Sequence, residues 1–431
     1  MFEVLPLGVL VEKQQGGGTP PRNEPSFWYG DIPWASVKDF KDDQLELLAT
    51  EETITSLGLR SSTSSLVPPG TPMVCTRMAV GRCAVSPTPT AINQDIRALY
   101  PKKGVDPRYL LRVIASLRGK AESLSVGSTV KGIRSSDFLA IKAHIAPEKE
   151  QGTITRILDT LDTQIQKTEA LIAKLEKVKE GLLHDLLTRG IDENGQLRPS
   201  PEQAPELYKD SPLGLIPKGW GVGSLGDLSE IVSGVTLGGK SGSSAWPLVP
   251  YLRVANVQDG YLDLSEVKLI RVSSVDLEKY RLLPGDVLMN EGGDFDKLGR
   301  GALWQGQIGL CIHQNHVFRV RTTQSVLNPH FLTAFSSSAI GKRYFIRSSK
   351  QSTNLASINS TQLKAFQVSL PSNTEQELIV KELQAMASKI ESEKALLDKL
   401  IIQKSGLMND LLTGHVRVTS LLDQAQTPTP A

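Results

Sequence analysis

QGTITRILDTLDTQIQKTEALIAKLEKVKEGLLHDLLT, residues 151–188, recurs without a gap as QELIVKELQAMASKIESEKALLDKLIIQKSGLMNDLLT, residues 376–413, at a constant offset of 225. In the first copy a seam runs Ile154, Leu158, Leu161, Ile165, Thr168, Ile172, Leu175, Lys179, Leu182, Leu186. In the second it runs Ile379, Leu383, Met386, Ile390, Glu393, Leu397, Leu400, Lys404, Leu407, Leu411. The spacing alternates four and three, which is the a/d pattern of a helix that pairs with another helix. The polar breaks coincide, Thr168 with Glu393 and Lys179 with Lys404, as expected of residues that pin register. A helix laid on its own domain needs a broader apolar stripe, so pairing is the better reading of so narrow a seam.

Upstream of each copy the chain matches itself more weakly but in order. Leu7-Gly8 pairs with Leu225-Gly226, Gly16 with Gly234, and Ile32-Pro33-Trp34 with Val249-Pro250-Tyr251. Pro69-Gly70 pairs with Pro284-Gly285, Val80-Gly81-Arg82 with Leu298-Gly299-Arg300, and Ile92-Asn93-Gln94 with Ile312-His313-Gln314. Asp106-Pro107-Arg108-Tyr109-Leu110 pairs with Asn328-Pro329-His330-Phe331-Leu332. Drifting offsets are what loops of varying length around a kept framework produce.

The order is therefore module (1–146), helix (147–190), linker (191–217), module (218–371), helix (372–415) and a disordered tail (416–431). Short β-rich runs such as VPYLRVANV and HVFRVR alternate with short helices, so each module reads as α+β. The linker, rich in Pro, Gly and charge, reads as an exposed connector. The first helix leads away from module one and the second away from module two. Antiparallel pairing of the two is then the natural arrangement, with a pseudo-two-fold relation between the modules. A helix of 36 residues is about 54 Å long, enough to hold the two modules well apart. Leu171, Leu183 and Leu187, with Leu396, Met408 and Leu412, lie beside the seam and are expected to remain available to partner helices.

The chain has 431 residues, 39% hydrophobic and 22% charged, and no apolar run approaches the ~18 residues of a membrane span. Glu3, Pro6 and Gly8 argue against a secretory signal. Cys75, Cys83 and Cys311 form no CxxC pair and read as buried or incidental thiols in a reducing compartment. The net charge of +2 says little, but its distribution says more: from Lys297 to Pro371 there are nine Lys or Arg and no Asp or Glu. Such a stretch makes a local positive field of the kind phosphate backbones favour.

Two catalytic matches fail on context. Gly234 to Ser241, GVTLGGKS, fits the phosphate-loop pattern, but GSSAWPLVP comes next, which cannot start the helix that chemistry needs. Module one has lost the pattern at Gly16 to Arg22. Asn328-Pro329-His330-Phe331 is similar to an amino-methyltransferase motif, yet its repeat partner Asp106-Pro107-Arg108-Tyr109 points to a helix cap. His313 and His316 have no acidic companions nearby in sequence and only Cys311 beside them, so no metal site is expected, and no nucleophile–base constellation is present.

Several long strings resemble one family. KDSPLGLIPKGW (Lys209 to Trp220), NEGGDFDKLGRGALW (Asn290 to Trp304), GGTPPRNEPSFWYGDIPWASVKDF (Gly17 to Phe40) and QSTNLASINSTQLKAFQVSLP (Gln351 to Pro371) look like the specificity subunit of type I restriction-modification systems. So do the helix entries Pro147 to Gln151 and Pro371 to Gln376, and the resemblance covers nearly the whole chain. One departure is the Pro-x-Gly-Trp entry at Pro217 to Trp220, which is missing before Leu7.

The resemblance implies two target-recognition domains joined by two long antiparallel coiled-coil helices. It implies a non-catalytic, cytoplasmic reader of a bipartite, asymmetric site on double-stranded DNA. Its partners would be two methyltransferase subunits, docked on helices that set the unread gap, and restriction subunits. The chain itself would bind no cofactor; S-adenosylmethionine would belong to the methyltransferase subunits, and ATP and Mg²⁺ to the restriction subunits. The reading from a different class is a coiled-coil scaffold or DNA-binding regulator acting without methyltransferase partners. That alternative leaves the two diverged modules on matched frameworks unexplained.

Long Lys, Arg, Asn and Gln side chains in loops read base edges and clamp phosphates. The candidates are Lys38, Arg77, Arg82, Lys131 and Arg134 in module one. In module two they are Arg253, Asn256, Asn290, Lys297, Arg300, Lys350, Gln351 and Asn354.

Overall fold

Contacts divide the chain into two units, Met1–Ala170 with Ala395–Ala431, and Leu171–Lys394. The structure, a computed structural model, describes residues 1–426 apart from 43, 128–129, 237–245, 294–297, 300 and 352–355; at 293, 350–351 and 423–426 it describes the backbone only.

The first unit contains a four-stranded antiparallel sheet in the order Val11–Gly16, Ile96–Pro101, Met73–Cys75, Cys83–Ala84. A second sheet runs Glu52–Ile54, Trp28–Ala35, Thr90–Ile92, Ser65–Val67, and its two central strands are parallel. The second unit repeats the plan. Its four-stranded sheet runs Ser229–Ser233, Val317–Thr322, Val287–Asn290, Gly301–Leu303. Its smaller sheet runs Lys268–Arg271, Leu248–Leu252, Ile312–His313, again with a parallel pair. In each unit an antiparallel ribbon closes the module, Glu3–Pro6 with Lys142–Ile145 and Gly221–Ser224 with Gln367–Leu370.

Register corrects the sequence alignment by one residue in two places. Ala35 faces Ile92 and Leu252 faces His313, so His313, not Ile312, is the counterpart of Ile92. A Cβ on Gly17 would collide with the Ile92 carbonyl and one on Gly234 with that of His313, so Gly17 is the counterpart of Gly234. That close approach explains the glycine opening the phosphate-loop match; Lys240 and Ser241 lie outside the described residues. The Asn-Pro and Asp-Pro motifs are helix caps: Asp106 accepts from the Tyr109 amide at 2.8 Å and Asn328 from that of His330 at 2.9 Å. The capped helices, Pro107–Ser116 and Pro329–Ser337, bury Tyr109, Leu110 and Ile114 in one unit and Phe331, Leu332 and Phe335 in the other.

The repeated stretches form helices Glu148–Thr188 and Asn373–Thr413. In the first unit Glu150 pairs with Arg417, and Asp162 with Lys404 at 2.7 Å. In the second, Glu375 accepts from the Ile191 amide at 2.9 Å and Glu176 meets Lys394 at 3.0 Å. One partner's number falls as the other's rises, so the segments run antiparallel within each unit. Each unit thus joins a module to the start of one helix and the end of the other, with the helices' roles exchanged. Every apolar seam residue is buried or half-buried, while Lys179 is exposed. Leu171 and Leu396 are exposed, but Leu187 and Leu412 are buried in the cores of their units, so they are not available to partner helices as expected. Among the described residues no helix is long and apolar enough to cross a membrane.

The Glu-Gln pair at each helix entry has a structural job. Gln151 accepts from the Asp106 amide and donates to the Ala146 carbonyl; Gln376 accepts from the Asn328 amide and donates to Val326 and Pro371. Each glutamate anchors the segment beyond the end of the opposite helix, Glu150 through Arg417 and Glu375 through Arg198 and the Trp220 indole. Phe2, one residue before its ribbon as Trp220 is before its own, packs beneath Arg417 at 4.9 Å.

These anchors overturn two expectations. The 191–217 linker is not simply exposed, since Ile191, Tyr208 and Ile216 are buried and Tyr208–Lys209 pairs with Ile216–Pro217. The expected disordered tail is ordered over its described part, with Val418 buried and a helix at Thr419–Gln426; residues 427–431 lie outside the described residues.

Candidate nucleic-acid interface

In module one the hairpin between Met73–Cys75 and Cys83–Ala84 reads TRMAVGR, residues 76–82. Gly81, at φ +83°, turns the chain, and its amide donates to the Cys75 carbonyl at 2.9 Å. The outer edge of the hairpin pairs with a second segment. Arg77 bridges Gly132, the Met78 amide donates to Lys131, and the Ile133 amide donates to Thr76. Arg77, Lys131 and, two residues on, Arg134 are thereby gathered in one place, and all three are exposed. Arg77 lies 3.4 Å from Asp95.

Lys38 is exposed in a separate loop, on the short turn Val37–Asp39. Arg82 is committed elsewhere. It makes two bonds of 2.9 Å to Asp42 and one of 3.1 Å to the Phe40 carbonyl. Asp42 also meets Arg118, and the two guanidiniums hold its carboxyl below the usual range, with Arg82 the stronger influence.

In module two the corresponding hairpin carries Gly292–Gly293, paired with Ala356–Ser357, which pairs in turn with Lys350–Gln351. The Ile358 amide donates to Glu291 as Ile133 does to Thr76, so the two constructions are equivalent. The backbone places Lys350 and Gln351 at this small sheet, whereas Lys297, Arg300 and Asn354 lie outside the described residues.

Three module-two candidates face inward, contrary to expectation. Asn256 is buried; it accepts from the Arg253 amide and donates to the carbonyls of Asp263 and Glu266. Asp39 has the same place in module one, accepting from the Ser36 amide. Asn290 is buried and donates to the Val257 carbonyl at 3.0 Å. Arg253 lies along Glu266, bonded to its carbonyl at 3.1 Å. An amide side chain that mimics backbone is favoured in such turns for the reason that makes it a base reader, and sequence does not separate the two roles.

Sequence reasoning also missed residues. Arg343 and Arg347 are exposed on the helix Ala339–Ser348, spaced to share a face; their membership of the acid-free stretch was the available signal. Among the described residues Met78 and Tyr29 are the non-glycine residues with positive φ, and both are exposed.

The cysteines are buried, and burial pushes the Cys83 and Cys311 thiols up to about 12 and Cys75 further. Among the described residues no group of three or more His, Cys, Asp or Glu is placed to hold a metal ion.

Two α+β modules of one design, each carrying a paired hairpin edge and each joined to the long helices, define a class of internally duplicated proteins. The chain belongs to the type I restriction modification DNA specificity domain family, whose sequence model matches residues 1–177 and 217–401. It is 26% identical over 249 residues to the type I restriction enzyme MjaIX specificity subunit of Methanocaldococcus jannaschii, covering 57% of this chain and 56% of that protein. The chain thus spans little more than half the length of that relative. To the StySPI specificity subunit of Salmonella potsdam it is 25% identical over 326 residues, covering 74% and 67% of the two chains. Its fold is that of the crystallised type I restriction-modification S subunit from M. genitalium, with a TM-score of 0.55, 14% identity and 96% of both chains covered.

Proposed function

We propose that this chain is the non-catalytic DNA-reading subunit of a type I restriction-modification complex. Each module contacts one half of a bipartite, asymmetric duplex target through its hairpin edge. The long helices dock two methyltransferase subunits and bear on the unread gap, and restriction subunits complete the cytoplasmic complex. S-adenosylmethionine belongs to the methyltransferase subunits, and ATP and Mg²⁺ to the restriction subunits. The observation that carries the reading is the equivalence of the two hairpin edges. On one framework they bring together different residues, Arg77 and Lys131 in one module and a Gly-Gly strand beside Lys350–Gln351 in the other. A kept scaffold with exchanged tips is what two readers of different half-sites require. Sequencing the methylated bases of the host with and without this gene tests it. The expected result is loss of one bipartite motif in the deletion strain; an unchanged methylation pattern contradicts the proposal.

A further inference from the structure

The hairpin edge of module one holds Met78 in a conformation that packing does not explain. Its φ is +64°, a left-handed backbone that is strained for any side chain carrying Cβ. The other left-handed position of the same hairpin, at φ +83°, is filled by Gly81. Module two, at the equivalent point of its own hairpin, has Gly293. Met78 nevertheless keeps a large apolar side chain there and leaves it 65% exposed, outside every hydrophobic cluster of the unit.

The backbone beneath it is fixed. Its amide donates to Lys131 at 2.9 Å, the Ala79 amide closes on the Arg77 carbonyl at 2.8 Å, and the Arg82 amide on Ala79 at 3.1 Å. On either side stand cations: Arg77, with its side chain 55% exposed, precedes it, and exposed Lys131 lies across the pairing. Tyr29 shares the strain and is more exposed, but it sits on a bulge of the strand Trp28–Ala35 without a paired basic segment.

An outlying backbone that the surroundings over-determine is a pointer to function. An apolar tip on a rigid turn between two cations suits one ligand class: a base in duplex DNA, touched at its apolar edge or at a base step while the cations meet the flanking phosphates. We propose that Met78 is a base-contacting residue of module one, specifying one position of one half-site by apolar contact. This rests on the DNA-reading function proposed above.

The test uses the full chain with its methyltransferase partners and compares Met78→Gly and Met78→Leu with the parent. Glycine removes the contact and relieves the left-handed strain, so Met78→Gly should melt no lower than the parent. It should bind the parental site roughly tenfold more weakly. Methylation should relax at one position of one half-site, with the other half-site unchanged. Met78→Leu should retain parental specificity. Parental affinity and an unchanged motif in Met78→Gly would overturn the proposal, as would changes in both half-sites. Absence of site-specific binding by the parent complex would instead overturn the DNA-reading function itself.

Discussion

The two units share a framework and part company at its buried charges. In the first, Arg112 is 2% exposed and pairs with Asp159 at 2.5 Å and with Asp162, which also takes Lys404; Arg108 joins Asp159 at 3.0 Å. In the second, the caps and helix offsets put Ala334 at the place of Arg112, Gln384 at that of Asp159, Ala387 at that of Asp162 and His330 at that of Arg108. There the contact is a neutral one, Gln384 to His330 at 3.2 Å. Both arrangements line a cleft between cap helix and long helices, of about 880 Å³ and 800 Å³. The set has changed as a whole, as a buried cation demands, because its desolvation is offset only while its acids are present. At the parallel strands the exchange runs the other way: module one has Ile92 and module two a fully buried His313.

The largest effect is expected from breaking the charged set. Asp159→Ala with Asp162→Ala leaves Arg112 buried without a carboxylate and should destabilise the first unit by about 3–5 kcal/mol. Adding Arg112→Ala, which moves the set toward that of the second unit, should recover most of the loss. Denaturant unfolding of the three chains measures both effects. No recovery in the triple variant would mean that the acids serve something other than Arg112.

A smaller effect is expected at His313. Burial lowers its pKa from an ordinary 6.5 to about 4, and its Nδ1 lies 2.7 Å from the Val317 carbonyl. Between those values the unfolded chain binds a proton that the folded unit refuses. Stability is therefore full above pH 6.5 and is lost as the pH falls toward 4, by roughly 3 kcal/mol at most. His313→Ile, which copies module one, should flatten that part of the stability profile of the second unit. An unchanged profile between the two pH values would refute the burial account.

Much of this was legible in the sequence because periodicity and repetition are read from residue identity alone. The heptad seams, the helix caps and the order of modules needed no coordinates. Ile92 and His313 show where that stopped: the parallel pairing that equates them is a long-range register, and local identity favoured Ile312 instead. Asn256 and Asn290 failed for a different reason, since an amide that satisfies a buried loop and one that reads a base are the same side chain. Arg417 and Val418 sit in a polar, Pro-containing terminus, and Arg417 is held there by Glu150, a residue 267 positions away. Met78 gave no signal at all, because φ is not written in composition.

Independent reading of two half-sites by two equivalent modules, as proposed, stands or falls on an exchange of one module. Replacing Leu225 to Pro371 with the matching module of a relative, and sequencing the methylated sites of a host carrying the chimaera, reads out both halves at once. One new half-site joined to one parental half-site is the expected outcome. A chimaera that alters both halves together, or neither, would contradict it.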